Sequence, residues 1–127
     1  MAGIFRKKKD VKLSEPKMSD LEQLCGGDKE TYNALLPIMF LDPRKIGVPI
    51  NQAADNAKKS EKEKDLVSAR MWYEIAGGLA IYEGNVEKVV EYYEGAQRVT
   101  GKKYLILENP EKAVAKAQEY YKKYLHD

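Results

Sequence analysis

The sequence predicts an all-α fold, a small bundle of four to five helices with a basic, extended N-terminal arm. Three observations predict it. Apolar residues recur at three- and four-residue spacing through most of the chain, and no stretch makes a convincing sheet. Helix start and stop residues, from Ser19 and Gly26 to Gly101 and Asn109-Pro110, fall between those periodic stretches. Between them the chain is rich in Ala, Lys and Glu, which have high helix propensity. Its 127 residues are one domain's worth, read as an arm over 1–17 and a single helical domain over 18–127.

Ser19-Asp20-Leu21-Glu22 is a capping box, and Gly26-Gly27 stops the helix it opens. A second helix begins at Asp28 and sets Tyr32, Leu35, Leu36, Met39 and Phe40 on one face. Pro37 inside that pattern predicts a kink or an end near Leu36. Asp42-Pro43 through Gly47-Val48-Pro49 is a connector. Cys25 lies beside the apolar face and reads as a small core residue.

Residues 52–65 contain Ala53, Ala54 and Ala57 but no large apolar side chain. This segment is either a solvated helical extension, a linker, or a helix whose partner is another chain. From Leu66 onward, Val67, Met71, Trp72, Ile75, Leu79 and Tyr82 form the expected buried stripe. Gly77-Gly78 sits mid-helix, where each glycine costs roughly 0.5–1 kcal/mol relative to alanine. A neighbouring backbone is therefore expected to approach closely there. Gly84 ends this helix and Asn85 caps the next, whose inner face is Val86, Val89, Val90, Tyr93 and Ala96. Glu87, Glu91 and Glu94 face outward, and Gly101 is the stop. Tyr104 to Leu107 has extended character. Asn109 and Pro110 then open a last helix with Ala113, Ala117, Tyr120, Tyr121, Tyr124 and Leu125 as its buried stripe.

Within this pattern Trp72-Tyr73 opens a helix pair, Gly77 follows as a small residue, and Gly84-Asn85 makes the turn. Tyr93 and Ala96 take later aromatic and small positions. So arranged, residues 69–101, about a quarter of the chain, resemble a single tetratricopeptide hairpin. Registered on Tyr73, the chain departs from that family at Ala76, Ala80, Val89 and Gly101, and no second copy is visible. The resemblance implies protein–protein interaction through a helical surface, with Tyr73, Gly77 and Gly78 meeting the partner and Ile4 and Phe5 of the arm as an anchor.

The net charge of +2 is unevenly spread. Residues 1–17 carry Arg6, Lys7, Lys8, Lys9, Lys12 and Lys17 against Asp10 and Glu15, a net of +4, which leaves −2 on the rest. Such an arm is either a solvated tail or a contact for a polyanion. Ile4 and Phe5 directly before the basic cluster favour contact. Lys58, Lys59 and Lys62 add a second lysine-bearing stretch with little to bury in its own chain.

The residue census leaves little catalytic chemistry. One Cys cannot close a disulfide, and it points to a reducing, intracellular setting. The single His, His126, is penultimate, and no Ser-His or Cys-His dyad is expected. No phosphate-binding glycine loop, metal site or cofactor is expected, and Glu87, Glu91 and Glu94 read as a solvated face. The longest apolar run, Ala34 to Leu41, is broken by Pro37, so no membrane span is expected; nor is a secretory signal. A Lys/Glu-rich chain with sparse Asn and Gln also hints at a thermophile.

The expected role is thus non-enzymatic: a structural subunit of a larger nucleoprotein assembly, cytoplasmic or in a particle assembled there. Its partners would be copies of itself or other subunits, together with a nucleic-acid backbone and no small-molecule substrate. Phosphates would be contacted through Arg6, Lys7, Lys8, Lys9, Lys12, Lys17, Lys58, Lys59 and Lys62. In broad outline the chain looks like small helical coat proteins of filamentous archaeal viruses, or accessory proteins of ribonucleoprotein particles. The alternative is a tetratricopeptide-like adaptor.

Overall fold

A computed structural model of the chain describes residues 18–125; the basic arm and His126 lie outside them. Among the described residues all regular structure is helical, with six α-helices where four to five were expected. They are α1 (Met18–Cys25), α2 (Lys29–Leu35), α3 (Ile50–Lys62), α4 (Leu66–Glu83), α5 (Val86–Thr100) and α6 (Pro110–Tyr124). Short 3-10 turns span Pro43–Lys45 and Leu105–Glu108. The second of these replaces the extended character expected after Tyr104.

Side-chain caps set most of the helix starts. Asp28 accepts from the Thr31 N–H at 3.1 Å and from its hydroxyl at 2.7 Å, opening α2. Asp65, Asn85 and Asn109 each accept from the N–H three residues on, opening α4, α5 and α6. Helix α1 already includes Met18, so Ser19 lies within the helix rather than at its cap. As Pro37 predicts, α2 ends at Leu35 with Leu36 as its C-cap.

The break between α3 and α4 carries no proline or glycine. Lys64 there adopts a left-handed φ of 64°. The Asp65 N–H reaches back to the Ser60 carbonyl and the Lys64 N–H to that of Glu61, which satisfies two terminal carbonyls of α3. A glycine usually takes this position; lysine occupies it at a cost of roughly 1–2 kcal/mol. The same pattern closes α4 around Gly84, whose φ is 74°.

Helices α3, α4 and α5 pack side by side, α4 in the middle, while α6 touches α1, α2, α4 and α5. The central position explains which face of α4 is buried. Its inward residues are Ala69, Tyr73, Ala76, Gly77, Gly78, Ala80 and Ile81, a mostly small-residue face that lets two neighbours approach. The expected stripe is therefore only partly right: Trp72 and Ile75 pack against the core and Leu79 is half-buried, whereas Val67, Met71 and Tyr82 are exposed. Segment 52–65 is also corrected. Most of it is helix α3, and Ala53, Ala54 and Ala57 bury it against α4 of its own chain.

The α4–α5 contact is built from two reciprocal ring sockets. Tyr93 of α5 covers Gly77 of α4, and Tyr73 of α4 covers Gly95 of α5. A methyl group placed at either glycine would lie 2.5 Å from a ring carbon. Gly78 is similarly covered by Phe40. Aromatic rings, rather than the expected neighbouring backbone, are what approach these glycines. The α6 side of the core is filled by Tyr120 and Tyr121 with Leu21, Leu35 and Ile106. Among the described residues no helix is long and apolar enough to cross a membrane.

Candidate functional site

The acidic side chain of Glu61, near the end of α3, ties three helices together. It accepts from the Tyr73 hydroxyl on α4 at 2.6 Å and from two nitrogens of Arg98 on α5, at 2.6 and 2.9 Å. Arg98 also donates to the Tyr73 oxygen at 3.2 Å. The Arg98 guanidinium, with help from the phenol, lowers the Glu61 carboxyl to a pKa of about 2. Burial and the neighbouring carboxylate push the Tyr73 phenol up to about 12. This cluster is a clamp between helices: all three groups satisfy one another.

That geometry gives an acid-stability signature. Because the Glu61 pKa in the folded state lies below its ordinary value of 4.5, the clamp stabilises above that pH and is lost as pH falls toward 2. The Arg98 side chain is 58% exposed, so solvent screening holds the contribution to about 1 kcal/mol. Glu61→Gln is expected to lower the free energy of urea unfolding at neutral pH by that amount. The gap from wild type should close on acidification; a gap that persists at the acid end would place the effect in packing instead.

The lysines singled out on α3 fall on its outer side. Lys58 is 60% exposed with its Nζ 3.6 Å from Glu91 of α5, and Lys59 and Lys62 are exposed. Arg6, Lys7, Lys8, Lys9, Lys12 and Lys17, together with Ile4 and Phe5, lie outside the described residues. Tyr73, Gly77 and Gly78 are buried in the sockets and in the clamp, so they are internal packing residues rather than a surface for a partner. Tyr93, Tyr120 and Tyr121 are buried as expected, and Tyr92 is buried with them.

Two of the depressions on the described surface are candidate sites. The wider, about 490 Å³, lies between Arg44, Tyr82 and the outer side of α6. Three of its polar residues are engaged within the chain: Gln118 donates to the carbonyls of Ile81 and Tyr82, the Tyr121 hydroxyl to that of Phe40, and Arg44 pairs with Asp42 at 2.8 Å.

The second is a groove of about 210 Å³ between the end of α2, the first half of α4 and the segment after α5. Ala34, Pro37, Ile38 and Tyr104 give it apolar walls, with the exposed Leu105 beside them. Arg70, Lys102 and Lys103 bring three cations to it against one carboxylate, Glu74. That carboxylate accepts from the Tyr104 hydroxyl at 2.7 Å and pairs with Arg70 at 3.5 Å. Lys103 pairs with Glu108 at 2.8 Å, and Lys102 has no ion pair among the described residues. Helical periodicity could not have flagged this groove, because its walls come from three segments distant in the chain.

Among the described residues no group of three or more His, Cys, Asp or Glu is placed to hold a metal ion. Comparison with known proteins finds no match: no family model, no curated protein and no solved structure resembles the chain.

Proposed function

We propose that the protein is a non-enzymatic structural subunit of a larger nucleoprotein assembly, coat-protein-like or ribonucleoprotein-associated. It would work inside the cell or in a particle assembled there, beside copies of itself or other subunits. The observation that carries this reading is the charge asymmetry, +4 over residues 1–17 against −2 over the remainder. Lysine and arginine neutralise phosphates and release condensed counterions without reading base sequence. The exposed Lys59 and Lys62, with Lys58, extend the cationic surface onto the folded body. The adaptor reading competes less well, because Tyr73, Gly77 and Gly78 are committed to packing α4.

Filter binding with mixed-sequence single-stranded RNA and duplex DNA tests this. Affinity is expected to fall steeply between about 50 and 200 mM salt. Replacing the six arm cations by serine should remove most of the binding, whereas Lys59→Glu with Lys62→Glu should weaken it less. No binding at about 50 mM salt by the intact chain would overturn the proposal.

A further inference from the structure

We propose that the groove between α2, α4 and Tyr104-Leu105, with the apolar strip of α4 beside it, docks a segment of a partner protein that carries apolar side chains flanked by aspartate or glutamate. The first support is where exposed apolar surface collects. Six large apolar side chains are exposed among the described residues, and five of them belong to segments that line or adjoin the groove. Leu105 lines the groove, Leu36 directly precedes its wall residue Pro37, and Leu66, Val67 and Met71 fall within one turn of Arg70. Val67 is 83% exposed, although the sequence around it is apolar enough to have been buried. Exposed apolar side chains grouped beside charged ones mark interaction sites on folded proteins.

Charge then selects the occupant. The three cations at the groove face one lining carboxylate, Glu74, already held by Tyr104 and Arg70; Lys103 is paired with Glu108, and Lys102 is left without an ion pair among the described residues. An acidic-flanked apolar segment complements that rim, while a basic one meets repulsion. The chain's own arm, at +4, is therefore the wrong occupant. A nucleic acid fits less well than a protein, because the aromatic ring at the groove, Tyr104, is buried and offers no face for a base to stack on. This docking stands apart from the phosphate contacts proposed for the arm and does not depend on them.

A random peptide library displayed on phage, selected on the intact protein and counter-selected on Leu105→Glu, tests the proposal. Enriched sequences are expected to carry apolar residues next to Asp or Glu. Synthetic peptides made from them should bind with an affinity that falls as salt rises. Lys102→Glu with Lys103→Glu should weaken those peptides by at least about tenfold, while Glu94→Lys, exposed on α5 and not part of the groove lining, should leave them unchanged. Far-UV circular dichroism establishes that each exposed-site variant is folded. The proposal is overturned if nothing enriches over the Leu105→Glu counter-selection, or if the enriched peptides are Lys/Arg-flanked. It is equally overturned if a short oligonucleotide displaces them, or if Leu105→Glu abolishes a concentration-dependent dimer, which would assign the groove to a second copy. A protein lacking the arm cations should still bind the peptides, so this reading and the nucleic-acid reading fail separately.

Discussion

In an alkaline ultraviolet titration, the tyrosinate signal of the native protein is expected to lag that of the urea-unfolded chain and then rise together with loss of helix. Five of the nine tyrosines are buried with phenols pushed above their ordinary value of 10. Burial is the leading cause in each. Tyr73 and Tyr104 are each raised to about 12, and each also donates to a carboxylate, Glu61 and Glu74. Tyr93 is the most enclosed, with nothing but protein around its ring. A phenol whose pKa is raised by folding stabilises the native state fully below pH 10 and loses that contribution as pH climbs through the folded value. Each such group removes about 1.4 kcal/mol per pH unit across that window. Tyr73 and Tyr104 alone would then remove roughly 5 kcal/mol by pH 12, the lower end of a typical domain's whole stability. Unfolding between pH 10 and 12 is the expected result, and Tyr104→Phe should move it to higher pH. Nine phenols titrating together near pH 10 with native circular dichroism intact would refute it.

The tyrosines also show what the sequence could and could not disclose. Caps were legible because each is a local event: Asp28, Asn85 and Asn109 bond N–H groups three residues on, within reach of the residue alone. Stops at Gly84 and Gly101 are legible for the same reason. The burial of α3 was not. Alanine contributes little to an apolar pattern, yet it is the small side chain that lets Ala53, Ala54 and Ala57 sit tight on α4. Helix α4 misled in the opposite direction. It is apolar nearly all round, so periodicity could not choose a face, and proximity to α3 and α5 selected the small one. Leu66, Val67 and Met71 were left outside as a consequence. The groove they border depends on residues 34–38, 70–74 and 102–105 meeting, which no local pattern encodes.

The second large effect concerns the sockets. Alanine normally improves a helix interior over glycine by roughly 0.5–1 kcal/mol, so Gly77→Ala and Gly95→Ala would be expected to stabilise α4 and α5 on propensity alone. The opposite is expected here. The added methyl at Gly77 would stand 2.5 Å from Tyr93, and the one at Gly95 2.5 Å from Tyr73, where carbon atoms need roughly 3.5–4.0 Å. Neither ring can swing away: Tyr93 has no exposed surface, and Tyr73 is held by Glu61 and Arg98. The helices must part instead, and overpacking of this kind costs about 1–3 kcal/mol. Each substitution is therefore expected to lower stability by about 1 kcal/mol in urea unfolding once the propensity gain is subtracted. Gly27→Ala, with nothing within 4 Å, is the control and should change little. Tyr93→Phe separates the ring from its hydroxyl. That oxygen is buried without a hydrogen-bond partner among the described residues, so its removal should be neutral or stabilising by up to about 1 kcal/mol. Combined with Gly77→Ala, it should leave the steric loss intact, because the ring carbons rather than the oxygen occupy the space the methyl would need. Gly77→Ala matching wild type would mean that the α4–α5 interface yields, and that its glycines are not what sets the spacing.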